Sequence, residues 1–245
     1  MSKTILITGA GSGFGKGAAI ALAARGHHVI ATTETSEQAS ALAKEAPQLQ
    51  VEKVDITNSA DIAKISAWDI DVLINNAGFG INKAFTRSDL AKEEEVLKVL
   101  VRTPMRLMHV ALPGMKERNS GVVINVSSIA SFIAGGAYSA SKAYLTVLSE
   151  SLSTELSTTN IKVCALCPGF TRTEFHQRGR MKMAGLPNFM WLNSDFLVAK
   201  AWKDAIAGKP VSIPGWQYKL LVGVISLMPR SLVRRVGMNL RVKQR

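Results

Sequence analysis

The stretch that decides the fold is residues 4–26, which read TILITGAGSGFGKGAAIALAARG. A short β-branched run leads into a glycine-rich turn, and an alanine-rich helix pattern follows and stops at Gly26. The turn carries Gly9, Gly11, Gly13 and Gly15. Glycine lets a turn pass close to a bound molecule, and the N–H groups and dipole of the following helix suit a pyrophosphate. The stretch therefore indicates a dinucleotide-binding unit.

Further apolar, β-branched runs alternate with helix patterns along the chain. They are HVIATT (28–33), LQVEKVDI (49–56), DVLINN (71–76), GVVINVSS (121–128) and IKVCALCPG (161–169). Runs that are apolar on both faces are typical of parallel sheets, and strand–helix alternation places helices on both faces. No repeat, linker or low-complexity tract interrupts the pattern. We predict a doubly wound, mostly parallel α/β sheet in a single domain over residues 1–245.

Composition favours a globular protein, with 47% hydrophobic and 20% charged residues. The N-terminus lacks the features of a signal peptide, and the apolar run 220–228 is too short to cross a bilayer. Cys164 and Cys167 form a C-x-x-C on a predicted buried strand, which disfavours a redox or zinc role. The histidines share no metal-ligand spacing, so no metal site is predicted. These features predict a reduced, cytoplasmic protein.

The net charge of +12 is unevenly placed, because no acidic residue follows Asp204. Residues 214–245 mix apolar and basic side chains in an amphipathic pattern. No nucleic-acid motif accompanies them, so nucleic acid is not a predicted partner. Two interpretations stay open. In the first interpretation, the segment attaches the protein peripherally to an anionic membrane surface. In the second, it packs on the domain and its arginines are exposed to water.

Residues 174–196 combine glycine and proline with apolar side chains such as Met181, Met183 and Trp191. This mixture suits a mobile substrate lid with an apolar lining, and it suits a surface loop pinned to the core equally well. The apolar character of this stretch and of the tail favours a hydrophobic substrate.

Several motifs resemble those of the short-chain dehydrogenase/reductase family and occur in the family's order. The TGxxxGxG turn is followed by NNAG (75–78), NVSS (125–128), YSASK (138–142) and CPGFTRT (167–173). The resemblance covers nearly the whole chain. It implies a Rossmann fold, NAD or NADP as cofactor, and hydride transfer that interconverts an alcohol and a ketone. It also implies a homodimer or homotetramer built on helices near 95–115 and 140–157.

The resemblance assigns the catalytic roles to Ser128, Tyr138 and Lys142. Tyr138 would be the general acid/base, while Lys142 would hold the nicotinamide ribose and favour the phenolate. Together with the cofactor's charge, Lys142 is expected to lower the phenol pKa by roughly two to three units from about 10. Ser128, ten residues before Tyr138, matches the substrate-orienting serine best. Ser127 is expected to point the other way, and Ser131 is a distant third.

One position departs from the family pattern. Leu100 stands where many members carry a helix asparagine that anchors a relay water. Leucine cannot hydrogen-bond, so the relay is rebuilt from other groups, or proton delivery is slower, or activity is lost. The alternative function is accordingly a non-catalytic dinucleotide-binding redox sensor or interaction protein. The retained Tyr138 and Lys142 favour the enzyme, because a pure binder has no need of an acidic phenol.

Cofactor preference depends on the residues that follow the second strand. Glu34 would accept from the adenosine ribose hydroxyls and repel a 2′-phosphate, so NAD is favoured over NADP. Lys16 and Arg25 keep NADP open. The predicted cofactor contacts are Gly9, Ser12, Gly13, Phe14, Gly15, Glu34, Asp55, Ile56, Asn75, Ala77, Gly78, Tyr138, Lys142, Pro168, Gly169, Thr171 and Thr173.

Overall fold

A computed structural model describes residues 2–81, 83–173 and 187–235. Its centre is a seven-stranded sheet with the order β3-β2-β1-β4-β5-β6-β7. The strands are β1 (Thr4–Ile7), β2 (His28–Thr33), β3 (Gln50–Lys53), β4 (Val72–Asn75), β5 (Gly121–Val126), β6 (Ile161–Leu166) and β7 (Val211–Ser212). Every pairing within this sheet is parallel. The predicted doubly wound α/β fold is confirmed.

Helices connect the strands and cover the sheet. They are α1 (Gly13–Ala23), α2 (Ser36–Glu45), α3 (Ser59–Ile65), α4 (Leu90–Leu97), α5 (Thr103–Glu117), α6 (Ala137–Glu155), α7 (Ser194–Ile206) and α8 (Trp216–Leu227). Several begin at a polar residue whose side chain accepts from a backbone N–H of the first turn, as Thr35, Asn58, Asp89 and Asn193 do. Such caps satisfy N–H groups that the helix itself leaves without partners.

The core forms two layers, one on each face of the sheet. Buried residues of α1, α2 and α7 pack on one face, and those of α3, α5 and α6 pack on the other. Strand residues alternate between the layers, with Ile5 and Ile7 in the first and Leu6 in the second. Both faces are therefore apolar, as parallel strands covered on two sides require.

Three local features differ from the predicted pattern. β7 was not predicted, because its two residues have no pattern of their own and gain strand character only by pairing with β6. The predicted strand runs extend beyond the observed ends, and their last residues form the loops at the carboxyl edge. Between α4 and α5 the backbone forms a π-helical segment, Lys98–Arg102, which contains the buried Leu100.

The predicted lid falls partly outside the described residues, which omit 174–186. Its described end is pinned to the domain. Leu192 pairs with Thr171 in a parallel bridge, and its N–H donates to the carbonyl of Phe170 at 2.8 Å. The Trp191 ring lies near the Phe170 ring in a tilted arrangement, and the Arg172 guanidinium lies over the Trp191 ring. Residues 191–192 are therefore held against the segment that follows β6, and the predicted lid stays a prediction.

Among the helices of the described parts of the chain, none has both the length and the apolar character that a bilayer crossing requires.

Candidate active site

The loops that follow β1, β4, β5 and β6 meet at the carboxyl edge of the sheet. Neighbouring parallel strands end side by side there, so motifs far apart in sequence become neighbours. Asn75, the last residue of β4, pairs in register with Asn125, the penultimate residue of β5, and the glycine turn lies beside this end of β4. This edge brings the predicted motifs together.

The glycine turn is held against the loop after β4 by hydrogen bonds that sequence reasoning missed. The Asn76 amide donates to the carbonyls of Thr8 at 2.8 Å and Gly9 at 3.0 Å. The Thr8 hydroxyl accepts from the N–H groups of Asn76 and Ala77. A Cβ atom on Gly15 would lie 2.3 Å from the Asn76 amide nitrogen, so the two loops can only approach because this residue is glycine.

The N-terminus of α1 fits a dinucleotide phosphate. Ser12 caps the helix without a side-chain hydrogen bond, and the first turn has no acidic residue. Gly9 and Gly13 adopt φ values of +64° and +57°, which keep the turn compact in front of the helix. The positive dipole end of α1 and the absence of acidic residues from its first turn suit an anion. Phe14 is partly buried and packs its side chain against the core.

A buried polar chain supports the site from below. The Asn75 amide donates to the Asn125 side-chain oxygen at 2.7 Å, and Asn125 donates to the Ser149 hydroxyl at 2.9 Å. The Asn75 side-chain oxygen is buried and has no partner among the described residues. Asn125 and Ser149 were not predicted, although the asparagine of NVSS was a usable signal.

The two adjacent serines after β5 have different tasks. Ser127 is buried, donates to the carbonyl of Lys142 at 2.8 Å and contacts the Thr146 hydroxyl at 2.7 Å. It therefore points into α6, as expected. Ser128 caps the turn that follows, accepts from the N–H of Ala130 at 3.1 Å and is hydrogen-bonded to the Tyr138 phenol. Of the three serine candidates, Ser128 is the one whose hydrogen bond to the phenol the structure records; Ser131 donates to the Ser128 carbonyl.

Lys142 follows Tyr138 by one helical turn, which places its ammonium beside the phenol ring. Its Nζ lies 5.7 Å from the ring centroid and donates to the carbonyl of Val126 at 2.6 Å. Burial lowers the pKa of Lys142 to about 8, because the charged form loses its hydration. The ammonium is thus held between the aromatic ring and a strand end.

Burial raises the pKa of Tyr138 to about 12, and the hydrogen bond with Ser128 offsets only part of this rise. The polypeptide alone therefore does not produce the lowered phenol pKa expected from the sequence. The reason is that desolvation penalises a phenolate more than one neighbouring hydroxyl compensates. A protonated phenol at neutral pH is suited to donate a proton.

Leu100 lies beside a small cavity at the back of this cluster. The cavity lining consists of Thr8, Asn75, Ala77, Val99, Leu100, Thr103, Pro104, Val126, Lys142 and Leu145. A Cβ atom on Gly78 would lie 2.6 Å from a Leu100 methyl and 3.7 Å from Lys142 Nζ, so these residues are closely apposed. Asn75, whose side-chain oxygen has no partner among the described residues, and Lys142 both line this cavity.

The predicted adenosine contacts lie at the ends of β2 and β3. Glu34 is exposed after β2, and its N–H donates to the Gln38 side chain at 3.3 Å. Lys16, a residue that kept NADP open, forms an ion pair with Glu45 at 2.8 Å. Asp55 accepts from both the N–H and the hydroxyl of Thr57 and shapes the loop that contains Ile56.

The segment after β6 is held by α8. The Pro168 carbonyl accepts from Ile129, and the Thr171 hydroxyl donates to the Gly169 carbonyl at 3.1 Å. A Cβ atom on Gly169 would lie 2.0 Å from the Tyr218 ring, so glycine is required there by close packing. Thr173 is partly buried at the end of this described stretch.

Comparisons with known proteins agree with this arrangement. A model of the short chain dehydrogenase family matches residues 3–184. An uncharacterized oxidoreductase of Myxococcus xanthus is 32% identical over 253 residues, which cover 98% of each chain. A 3-ketodihydrosphingosine reductase of Bacteroides thetaiotaomicron is 37% identical over 185 residues, 71% of this chain and 65% of the relative. A short-chain dehydrogenase from Sphingobium yanoikuyae, solved in complex with NADPH, superposes with a TM-score of 0.78 at 28% identity, covering 94% of this chain and 97% of that one.

Proposed function

The chain belongs to the short-chain dehydrogenase/reductase family, and from this premise we propose that it interconverts a carbonyl and an alcohol with NAD(P) in a single domain. The observation that carries the proposal is the cluster at the carboxyl edge. There the Tyr138 phenol is hydrogen-bonded to Ser128 and lies beside the Lys142 ammonium. These three groups offer a proton donor, an orienting hydroxyl and a cation in one place.

In the reducing direction the chain's own residues handle the oxygen of the substrate. Ser128 donates a hydrogen bond to the carbonyl oxygen and holds it against Tyr138. The phenol, which is protonated at neutral pH, transfers its proton to that oxygen as charge develops on it. Lys142 stabilises the resulting phenolate and contacts the ribose. The dinucleotide, when bound, supplies the hydride in this direction and accepts it in the other.

The residues that would hold the dinucleotide fit it. The N-terminus of α1 would hold the pyrophosphate, because its dipole favours an anion and its first turn has no acidic residue, and the loop of residues 75–78 would contact the middle of the dinucleotide. The carbonyl-rich segment from Pro168 to Thr171 borders the nicotinamide end.

NAD is the proposed cofactor, because Glu34 is free to accept from ribose hydroxyls and would repel a 2′-phosphate. Lys16 is already paired with Glu45, so its ammonium is engaged and less suited to bind the 2′-phosphate of NADP. The NADPH bound by the Sphingobium relative makes the alternative worth a direct test. Fluorescence titration should show that NADH binds at least about tenfold more tightly than NADPH. Glu34→Gln should reduce this ratio of affinities. Tighter NADPH binding would overturn this assignment.

A hydrophobic alcohol or ketone is the proposed substrate. The described part of the loop near the site exposes Phe189 and places the Trp191 ring near Phe170. The Bacteroides relative is named as a 3-ketodihydrosphingosine reductase, and an apolar carbonyl compound of that kind agrees with this proposal.

The decisive experiment is a screen of aliphatic and aromatic ketones and secondary alcohols with NADH or NAD. Tyr138→Phe should lower kcat by about 10³-fold or more and leave NADH binding within about twofold. Tyr144→Phe is the matched control, because Tyr144 lies further along α6 and is exposed. Equal activity of Tyr138→Phe and Tyr144→Phe would refute the proposed role of the phenol.

The second candidate function is a dinucleotide-binding sensor without turnover, which Leu100 favours because it removes the usual relay side chain. This function predicts tight NADH binding and no turnover in the screen. We also propose that the protein is cytoplasmic and forms a homo-oligomer. Light scattering of the purified chain would test the oligomeric state.

A further inference from the structure

We propose that the outward face of α8 docks the protein on an anionic lipid bilayer. The buried face of this helix consists of Tyr218, Val222 and Ile225, which pack on the domain. The opposite face exposes Trp216 (72%), Leu220 (62%), Val224 (50%) and Leu227 (89%). Spacings of four, four and three residues place these side chains in one stripe along the helix. The helix is thus apolar on both its buried and its exposed side.

An exposed apolar stripe of this length is a mark of an interaction surface. A surface helix of a globular protein normally carries polar residues on its outer face, whereas this one carries a tryptophan, two leucines and a valine. Tryptophan and leucine on the apolar face are the composition of helices that lie in the plane of a membrane interface.

The charge around the stripe selects the partner. Lys219 is exposed on α8 next to the stripe, and Arg230, Arg234 and Arg235 are exposed on the residues that follow. No acidic residue occurs after Asp204 in the sequence. Basic residues beside an apolar face are complementary to anionic headgroups above an acyl layer. A symmetric contact with a second copy would bring the same cations towards each other, which costs free energy.

The stripe lies on the helix that supports the substrate side of the site. The Tyr218 hydroxyl accepts from the N–H of Phe170 at 3.0 Å and donates to the carbonyl of Met190. Residue Gly169 packs on the same ring, and α8 contacts the turn Ile129–Phe132 that Ser128 caps. Docking through α8 therefore brings the substrate loops to the membrane, and a bilayer-dissolved carbonyl compound becomes the natural substrate. This last step rests on the proposed function; the docking itself does not.

The test is vesicle flotation of the full chain with phosphatidylcholine alone and with phosphatidylcholine mixed with phosphatidylglycerol. The wild-type chain should float with the anionic vesicles and much less with the neutral ones. Leu220→Gln combined with Leu227→Gln should lower binding to the anionic vesicles by at least about tenfold. The matched control is Leu90→Gln combined with Ile206→Gln, two exposed apolar residues on α4 and α7, and it should bind within about twofold of wild type.

A charge variant gives an independent measurement. Lys219→Gln combined with Arg230→Gln should lower binding to anionic vesicles severalfold and weaken the dependence of binding on salt, because part of the basic charge remains. NADH titration of each variant checks that the fold is intact, and it needs no turnover, so failure of the enzymatic proposal is seen separately.

Three outcomes would overturn the docking proposal. One is failure of the wild-type chain to float with anionic vesicles. Another is an equal loss of binding in the α8 variant and the α4/α7 control. The third is conversion of an oligomer to a monomer by Leu220→Gln/Leu227→Gln with flotation unchanged, which would show that a second copy covers the face.

Discussion

Lys142 and Asp204 are both buried charged residues, and the protein surrounds them differently. Asp204 accepts from Lys200 at 2.6 Å, from the Ser212 hydroxyl at 2.7 Å and lies 2.9 Å from Lys209. Lys142 donates to one backbone carbonyl and faces an aromatic ring. Within the described residues no carboxylate pairs with Lys142.

The pKa shifts record this difference. Burial acts to raise the pKa of Asp204, but its hydrogen bonds from Lys200, Ser212 and Lys209 together outweigh burial and lower the pKa to about 2. Burial lowers the pKa of Lys142 to about 8, and only a weak opposing influence from Cys167 acts against it. The charge of Asp204 is thus compensated by its hydrogen-bond partners, whereas the charge of Lys142 has no comparable compensation. An uncompensated buried cation costs stability, and such groups are found where a ligand or reaction uses them.

The largest expected effect separates activity from stability at Lys142. Lys142→Met should lower kcat by about 10²–10³-fold, because the phenolate loses its stabilising cation. At pH 7 it should also raise the free energy of unfolding by about 1–2 kcal/mol, since a desolvated ammonium is removed and one hydrogen bond is lost. Steady-state kinetics and urea unfolding measure the two. If Lys142→Met were both inactive and less stable than wild type, the Lys142 charge would not be the uncompensated, destabilising charge proposed here.

The second expected effect is a loss of stability at Asp204 with activity retained. Asp204→Asn should lower the free energy of unfolding by about 2 kcal/mol at pH 7, because two ammonium groups lose their carboxylate. The turnover of the folded protein should stay within about twofold. Asp195→Asn, on the exposed first turn of the same helix, is the control and should cost less than about 1 kcal/mol.

The pH dependence of stability sharpens the same comparison. The folded pKa of Asp204 is lowered, so its contribution is complete above the unfolded value near 4 and is lost as pH falls towards 2. Wild type should therefore lose about 2 kcal/mol more than Asp204→Asn over that interval. The lowered pKa of Lys142 means that the unfolded chain binds its proton more tightly. The contribution of Lys142 to the free energy of unfolding should therefore rise between about pH 8 and pH 10.5, and Lys142→Met should remove this rise.

The smallest expected effect concerns Leu100. Asn75 and Lys142 line one cavity, and the Asn75 side-chain oxygen has no partner among the described residues, so we expect these two residues to support proton delivery in place of the usual side chain. Leu100→Asn should then change kcat by less than about threefold, with the pH profile of kcat unmoved. A gain of tenfold or more would instead show that proton delivery in the natural sequence is slow because of this leucine. Leu97→Asn, at an exposed position one turn earlier, controls for a polar residue on the same segment.

Much of the fold was predictable because its signals are local. The β-branched runs and the glycine turn specify their own conformations, so six of the strands and the dinucleotide unit were found from residues such as Ile5, Ile7 and Gly9. The motif spacing also separated Ser127 from Ser128. The two residues of β7 were missed because a partner strand, and no local pattern, makes them extended.

What the sequence by itself determined is the element order, the motif set and the family, because periodicity and short-range sterics act along the chain. What only the tertiary structure decided is the environment of each group. Asn76 joins two loops that are far apart in sequence, the Tyr138 phenol becomes less acidic, and α8 keeps its apolar stripe outside. Burial and electrostatics depend on neighbours from several elements at once, and no stretch of sequence contains that sum.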